Sequence, residues 1–149
     1  MAVAELVRGD VVADIGSDHG YLPIWLYLNN RIKRAYALDM SEKCVERCRL
    51  NLRKYNISED IITPVVSNGL DWLTANGVMP QITDITVAGL GSKSISEIIK
   101  DARGVNLALQ TNCKAGVLRE FLLENGFCIL RETTAECKKR TYTVINAKK

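Results

Sequence analysis

The sequence predicts an α/β protein built on a doubly wound, seven-stranded, mostly parallel sheet that ends in an antiparallel hairpin. Three observations predict it. Short apolar runs rich in Val and Ile alternate with segments of helical periodicity, the pattern of strands buried on both faces beneath crossover helices. Glycine-bearing turns directly follow several of the apolar runs. Two more extended runs then follow the last helical segment, and these read as an antiparallel pair.

The parallel strands are expected at residues 11–15, 34–38, 61–66, 82–88 and 105–110, each near-continuously apolar. Residues 21–28 are apolar nearly all round and begin just after Gly20, as a helix wedged against a sheet would. Residues 41–55 predict an amphipathic helix. Ser41 can cap its N-terminus, while Cys44, Val45, Cys48, Leu52 and Tyr55 recur at helical spacing. Residues 93–102 and 115–125 complete the alternation. The hairpin is expected from 127–131 and 141–147, joined by the polar stretch 132–140, with Tyr142, Val144 and Asn146 on one face of its second strand. No linker, repeat or low-complexity segment interrupts the pattern. A chain of 149 residues that is 47% hydrophobic therefore predicts one domain over residues 1–149.

Composition narrows the function classes. No run approaches the roughly 18 apolar residues of a membrane span, and the N-terminus lacks the basic-then-apolar order of a signal peptide. A cytoplasmic protein with no membrane partner is expected. The five cysteines are odd in number, contain no C-x-x-C pair and fall inside apolar patterns, which predicts buried free thiols. With His19 as the single histidine, no metal site is expected. A formal charge of +3 permits a nucleic-acid partner without demanding one. Oligomeric state is left open.

The chemistry concentrates at successive strand ends. The run Val12-Ala13-Asp14-Ile15-Gly16-Ser17-Asp18-His19-Gly20-Tyr21 takes a buried strand through a glycine turn into a helix. Such a turn lets backbone N–H groups at a helix N-terminus approach a ligand closely. Its glycines do not form G-x-G-x-x-G, so a dinucleotide is not indicated. Asp14-x-Gly16-x-Asp18-x-Gly20 instead approximates the acidic-x-Gly-x-Gly-x-Gly loop of S-adenosylmethionine enzymes, with Asp18 in the place of the middle glycine. Asp39 ends the second strand, 19 residues past Gly20, where a carboxylate accepts hydrogen bonds from ribose hydroxyls; Met40 follows it. After the third strand, Asn68, Gly69 and Leu70 offer an amide, a tight turn and an apolar side chain suited to adenine. The fourth strand ends in Ala88-Gly89-Leu90-Gly91, which would leave room for a flat base, and the fifth in Gln110-Thr111-Asn112. Each feature alone also describes an ordinary capped turn, but their recurrence at successive strand ends points to one site.

The run Ala13-Asp14-Ile15-Gly16-Ser17-Asp18-His19-Gly20-Tyr21-Leu22-Pro23 resembles the signature of the bacterial tRNA (adenine-22-N1)-methyltransferases. So do Asn68-Gly69-Leu70, Val87-Ala88-Gly89-Leu90-Gly91, Leu109-Gln110-Thr111-Asn112 and Leu118-Arg119, and the similarity spans roughly residues 6 to 147. The resemblance implies the Rossmann-like class I methyltransferase fold, S-adenosyl-L-methionine as cofactor, and methyl transfer to N1 of adenine 22 in tRNA. It departs at Leu90 and Ser92, where the family carries methionine and glycine, and at Thr111, where it carries proline. Family members continue into a helical C-terminal domain, so a chain stopping at Lys149 is expected to hold tRNA weakly.

In-line transfer to neutral adenine needs alignment of the N1 lone pair rather than a strong base, together with acceptors for the exocyclic amine as charge develops on the ring. Asp18, the Gly89 backbone and Asn112 are the expected catalytic groups. Asp14, Gly16, Ser17, His19, Gly20, Asp39, Met40, Asn68, Gly69, Leu70 and Ala88 are the expected cofactor contacts. Three alternatives compete: a non-catalytic relative that binds S-adenosylmethionine or RNA, a nicotinamide-dependent oxidoreductase, and methylation of a small molecule or a different RNA. The second lacks support, because no tyrosine is followed four residues later by lysine.

Overall fold

The computed structural model describes residues 2–149. Its seven strands follow the order β3-β2-β1-β4-β5-β7-β6, as β1 (Val11–Ile15), β2 (Arg34–Asp39), β3 (Ile62–Val66), β4 (Asp84–Leu90), β5 (Asn106–Thr111), β6 (Cys128–Cys137) and β7 (Arg140–Lys148). The helices are α1 (Tyr21–Leu28), α2 (Glu42–Lys54), α3 (Asp71–Ala75), α4 (Ser92–Ile99) and α5 (Ala115–Glu124). The chain divides into two compact units, Arg8–Ile85 and the residues up to Val7 together with Thr86–Lys149.

In the unit Arg8–Ile85, β1, β2 and β3 are parallel, with Ile15 opposite Leu38 and Asp39 opposite Val66. Their carboxyl ends therefore lie level, which brings three successive strand-end loops to one edge. Buried Val12, Ala13, Leu38 and Ile62 fill the sheet, and α2 covers it with Val45, Cys48 and Leu52. Helix α2 is amphipathic as its sequence predicts, and the Ser41 hydroxyl caps it by accepting from Cys44 N at 3.3 Å.

In the second unit, β7 runs antiparallel to both β5 and β6. Being flanked on both sides, it buries Val144, Ile145, Asn146 and Ala147 in succession. Helices α4 and α5 bury Ile95, Ile99, Leu118 and Leu122. Asn146 is fully buried, and its amide donates to Asn106 Oδ1 and Leu107 O.

Several boundaries differ from the sequence-based expectations. The stretch 132–140 is not a polar connection: β6 continues through it to Cys137, and the turn is Lys138-Lys139 alone. An edge strand exposed along most of its length needs no apolar face, so it gave no apolar signal. Strand β4 runs on to Leu90, and α4 starts at Ser92 and ends at Ile99. The short helix α3 was not anticipated. The thiols are all free, but only Cys48 is buried; Cys113, Cys128 and Cys137 are exposed, the last two because they lie on the edge strand β6.

Candidate cofactor site and active-site loops

The three strand-end loops of the unit Arg8–Ile85 are knitted by backbone hydrogen bonds. Gly16 N and Ser17 N donate to Leu38 O at 2.8 and 3.0 Å, and Ser67 N donates to Asp39 O at 2.9 Å. The Asp39 side chain joins the same weave, accepting from Asp18 N on Oδ2 and from Ser41 N on Oδ1, each at 3.0 Å. Each carboxylate oxygen offers about two lone-pair sites, so acceptor capacity remains beyond these bonds.

The first loop explains its own residue types. Gly16, Asp18 and Gly20 have φ of 70°, 52° and 73°, so every second residue is left-handed. Glycine adopts this freely and Asp is among the few others that tolerate it, which accounts for Asp18 in the place of a glycine. At Gly20 a Cβ would stand 2.4 Å from Cys48 Sγ, so any side chain there would displace the buried thiol as well as strain the backbone. Asp14 is buried and accepts from Ser17 Oγ at 2.7 Å, holding the loop from beneath.

Electrostatics tighten the loop further. His19 Nδ1 lies 2.9 Å from Asp18 Oδ2, and the imidazole stacks on Tyr21 with centroids 5.2 Å apart and planes 6° from parallel. Partial burial pushes the Asp18 carboxyl up. Hydrogen bonds with Cys44 and His19 and the charges of His19 and Arg47 outweigh that and hold it below its ordinary value. Burial pushes the Cys48 thiol up to about 12, so it behaves as an apolar group under the loop.

The remaining cofactor candidates border the same edge. Met40 is 72% exposed, and Tyr21 and Val66 also present apolar surface to solvent. Asn68 is exposed, Gly69 has φ 54°, and Leu70 begins the turn into α3. Two positioning residues were missed by sequence reasoning. Asn51 of α2 donates to His19 O at 2.9 Å, and Ser67 donates to Gly69 O while accepting from Trp72 N. Ser67 directly precedes the Asn68-Gly69-Leu70 turn, which is its signal in the sequence; for Asn51 the only signal was a polar residue on an otherwise ordinary helix.

In the other unit, the ends of β4 and β5 are bonded directly. Asn112 N donates to Leu90 O at 3.0 Å and Asn112 Nδ2 to Gly89 O at 2.6 Å. Two of the expected catalytic groups are thus partners, leaving Asn112 Oδ1 as an acceptor. Gly89 has φ 79°, and a Cβ built there would meet nothing within 4 Å. Ala88 precedes it, half-buried in β4. The buried Ser92 hydroxyl meets Thr111 Oγ1 at 3.0 Å and the carbonyls of Cys113 and Lys114 at 2.8 Å. Two of the three departures from the family pattern, Ser92 and Thr111, therefore touch one another. No group of three His, Cys, Asp or Glu side chains is arranged to hold a metal among the described residues, and no helix there is long and apolar enough to cross a membrane.

Comparison with known proteins places this architecture. The Bacillus subtilis tRNA (adenine(22)-N(1))-methyltransferase is 28% identical, with 97% of this chain aligned to 61% of that protein. The structure of M. capricolum TrmK in complex with S-adenosyl-homocysteine superposes with a TM-score of 0.90 at 32% identity, covering 99% of this chain and 66% of that one. A Streptococcus pneumoniae protein in complex with S-adenosyl-L-methionine gives a TM-score of 0.88 at 30% identity, covering 98% and 69%. This chain thus spans under two thirds of the curated relative's length. The seven-stranded, Rossmann-like class I methyltransferase fold is common to them all. The methyltransferase-domain family matches residues 1–145, and the chain belongs to that family.

Proposed function

We propose that this chain transfers a methyl group from S-adenosyl-L-methionine to N1 of adenine 22 in tRNA, acting as a single cytoplasmic domain. The observation that carries the reading is Asp39, a carboxylate ending β2, bonded to the glycine loop and retaining acceptor capacity. Bound S-adenosylmethionine and S-adenosyl-homocysteine in the two similar structures support the cofactor, and the match over residues 1–145 supports one domain.

The residues present fit the cofactor. Asp39 would accept from its ribose hydroxyls, and Gly16, Ser17, His19 and Gly20 would hold it with the glycine loop, with Asp14 fixing Ser17. The solvent-facing Met40 side chain, with Asn68, Gly69 and Leu70, suits a flat adenine, apolar on its faces and polar at its edge. When bound, the cofactor supplies an electrophilic methyl group on a sulfonium. The protein supplies position. Gly89 is without a side chain beside Ala88, and Asn112 Oδ1 accepts from the exocyclic amine as positive charge develops on the ring. Asp18 serves as the further acceptor, kept ionised by His19 and Cys44. Because N1 lies on the Watson–Crick edge, the target base must be unpaired and splayed from its strand.

The test has two parts. Calorimetry should show S-adenosyl-homocysteine binding to the parent and a roughly ten- to hundredfold loss in Asp39→Ala, as hydrogen bonds to a charged group are worth about 1.5–3 kcal/mol. Incubation with labelled S-adenosylmethionine and bulk bacterial tRNA, followed by nucleotide mapping, should place the label on N1 of adenine 22. Equal binding by parent and variant overturns the site, and label on any other atom overturns the target.

A further inference from the structure

We propose that the open pocket of about 420 Å³ lined by Asn112, Arg140, Thr141 and Tyr142 is a subsite for the RNA strand next to the target base. Arg140 takes one phosphodiester and Tyr142 stacks one base. The inference rests on RNA being the substrate.

Strand register builds this subsite. Thr111 pairs with Thr143 in the antiparallel β5–β7 ladder, so the next residues outward, Asn112 and Tyr142, meet at the same end. Arg140 lies two residues from Tyr142, on the same face of β7. The amide expected to meet the target base and a cation–aromatic pair therefore share one pocket. Tyr142 is only half-buried, leaving ring surface available for stacking.

Charge points the same way. Of the basic clusters in the sequence, the one around Lys33 is partly neutralised by Asp10, and the one on α2 by the pairing of Arg49 with Glu46 and Glu59. Among the described residues no carboxylate pairs with Lys138, Lys139 or Arg140. Lys138 and Lys139 form the two-residue turn with φ of 49° and 63°, where Asn-Gly would be the relaxed choice. Two lysines held there add positive charge beside the pocket mouth. A guanidinium over phosphate and an aromatic face under a base are the two devices that hold single-stranded RNA.

The test is fluorescence anisotropy of a short labelled single-stranded RNA with the full chain saturated in S-adenosyl-homocysteine, read over a series of salt concentrations. The parent should bind, with affinity falling as salt rises. Arg140→Gln should reduce the logarithmic salt slope by about 0.7, the share of one phosphate on a single strand. Tyr142→Ala should weaken binding about 5- to 100-fold, and Tyr142→Phe should restore it. S-adenosyl-homocysteine affinity should stay at the parent value in all three variants. No RNA binding by the parent, or unchanged binding in Arg140→Gln and Tyr142→Ala, overturns the subsite. If these variants lose RNA while the parent transfers no methyl group to tRNA, the proposed reaction fails and the subsite stands.

Discussion

Asp18 combines a left-handed backbone with a carboxylate whose partners come from its own loop and from α2. A glycine would satisfy the backbone, so the carboxylate is what the position gains. Its folded-state pKa lies below the ordinary 3.8. The ion is favoured by the fold, and its contribution to stability is present above about pH 4 and is lost as pH falls through the depressed value. The side chain is 55% exposed, so the magnitude stays below about 1 kcal/mol. An NMR titration should place the Asp18 carboxyl below 3.8 and move it upward in His19→Ala; a parent value at or above 3.8 contradicts the His19 and Cys44 contacts. The target-base role proposed for Asp18 depends on this ionised form.

The loops after β4 and β5 act as one clasp rather than two turns. Each hydroxyl of the Ser92–Thr111 pair has one proton and several acceptors within reach, the Cys113 and Lys114 carbonyls among them. The pair lies under the turn that presents Asn112. Removing one member strands buried polar groups, so Ser92→Ala should cost about 1–3 kcal/mol in urea unfolding, and Thr111→Val a similar amount. Because both belong to one network, the double variant should lose clearly less than the sum. Strict additivity would show that the hydroxyls act separately.

Over the whole molecule, ligand binding to the folded chain alone should appear as thermal stabilisation. At a hundredfold excess over its dissociation constant a ligand adds about 2.7 kcal/mol, and about 2–4 °C per kcal/mol is usual at this chain length. S-adenosyl-homocysteine should therefore raise Tm by about 5–10 °C, and NADH should leave it unchanged; the reverse result returns the chain to the oxidoreductases. That choice was legible in the residues, since Asp14-x-Gly16-x-Asp18-x-Gly20 and Asp39 occur at fixed distances from apolar strands. Periodicity determined the alternation of β1 to β5 with helices, because burial on both faces imposes a local pattern. It did not determine the length of β6, whose polar residues are held by pairing with β7, nor the exposure of Cys113, Cys128 and Cys137. Only the tertiary structure decided that Asn51 holds His19, that Ser92 meets Thr111, and that Asn112 bonds Gly89 beside an open pocket lined by Arg140 and Tyr142. The physical reason is the same in each case. A strand or a turn is written in neighbouring residues, whereas a hydrogen bond between residues 19 to 32 positions apart exists only once the sheet has set the strand ends level.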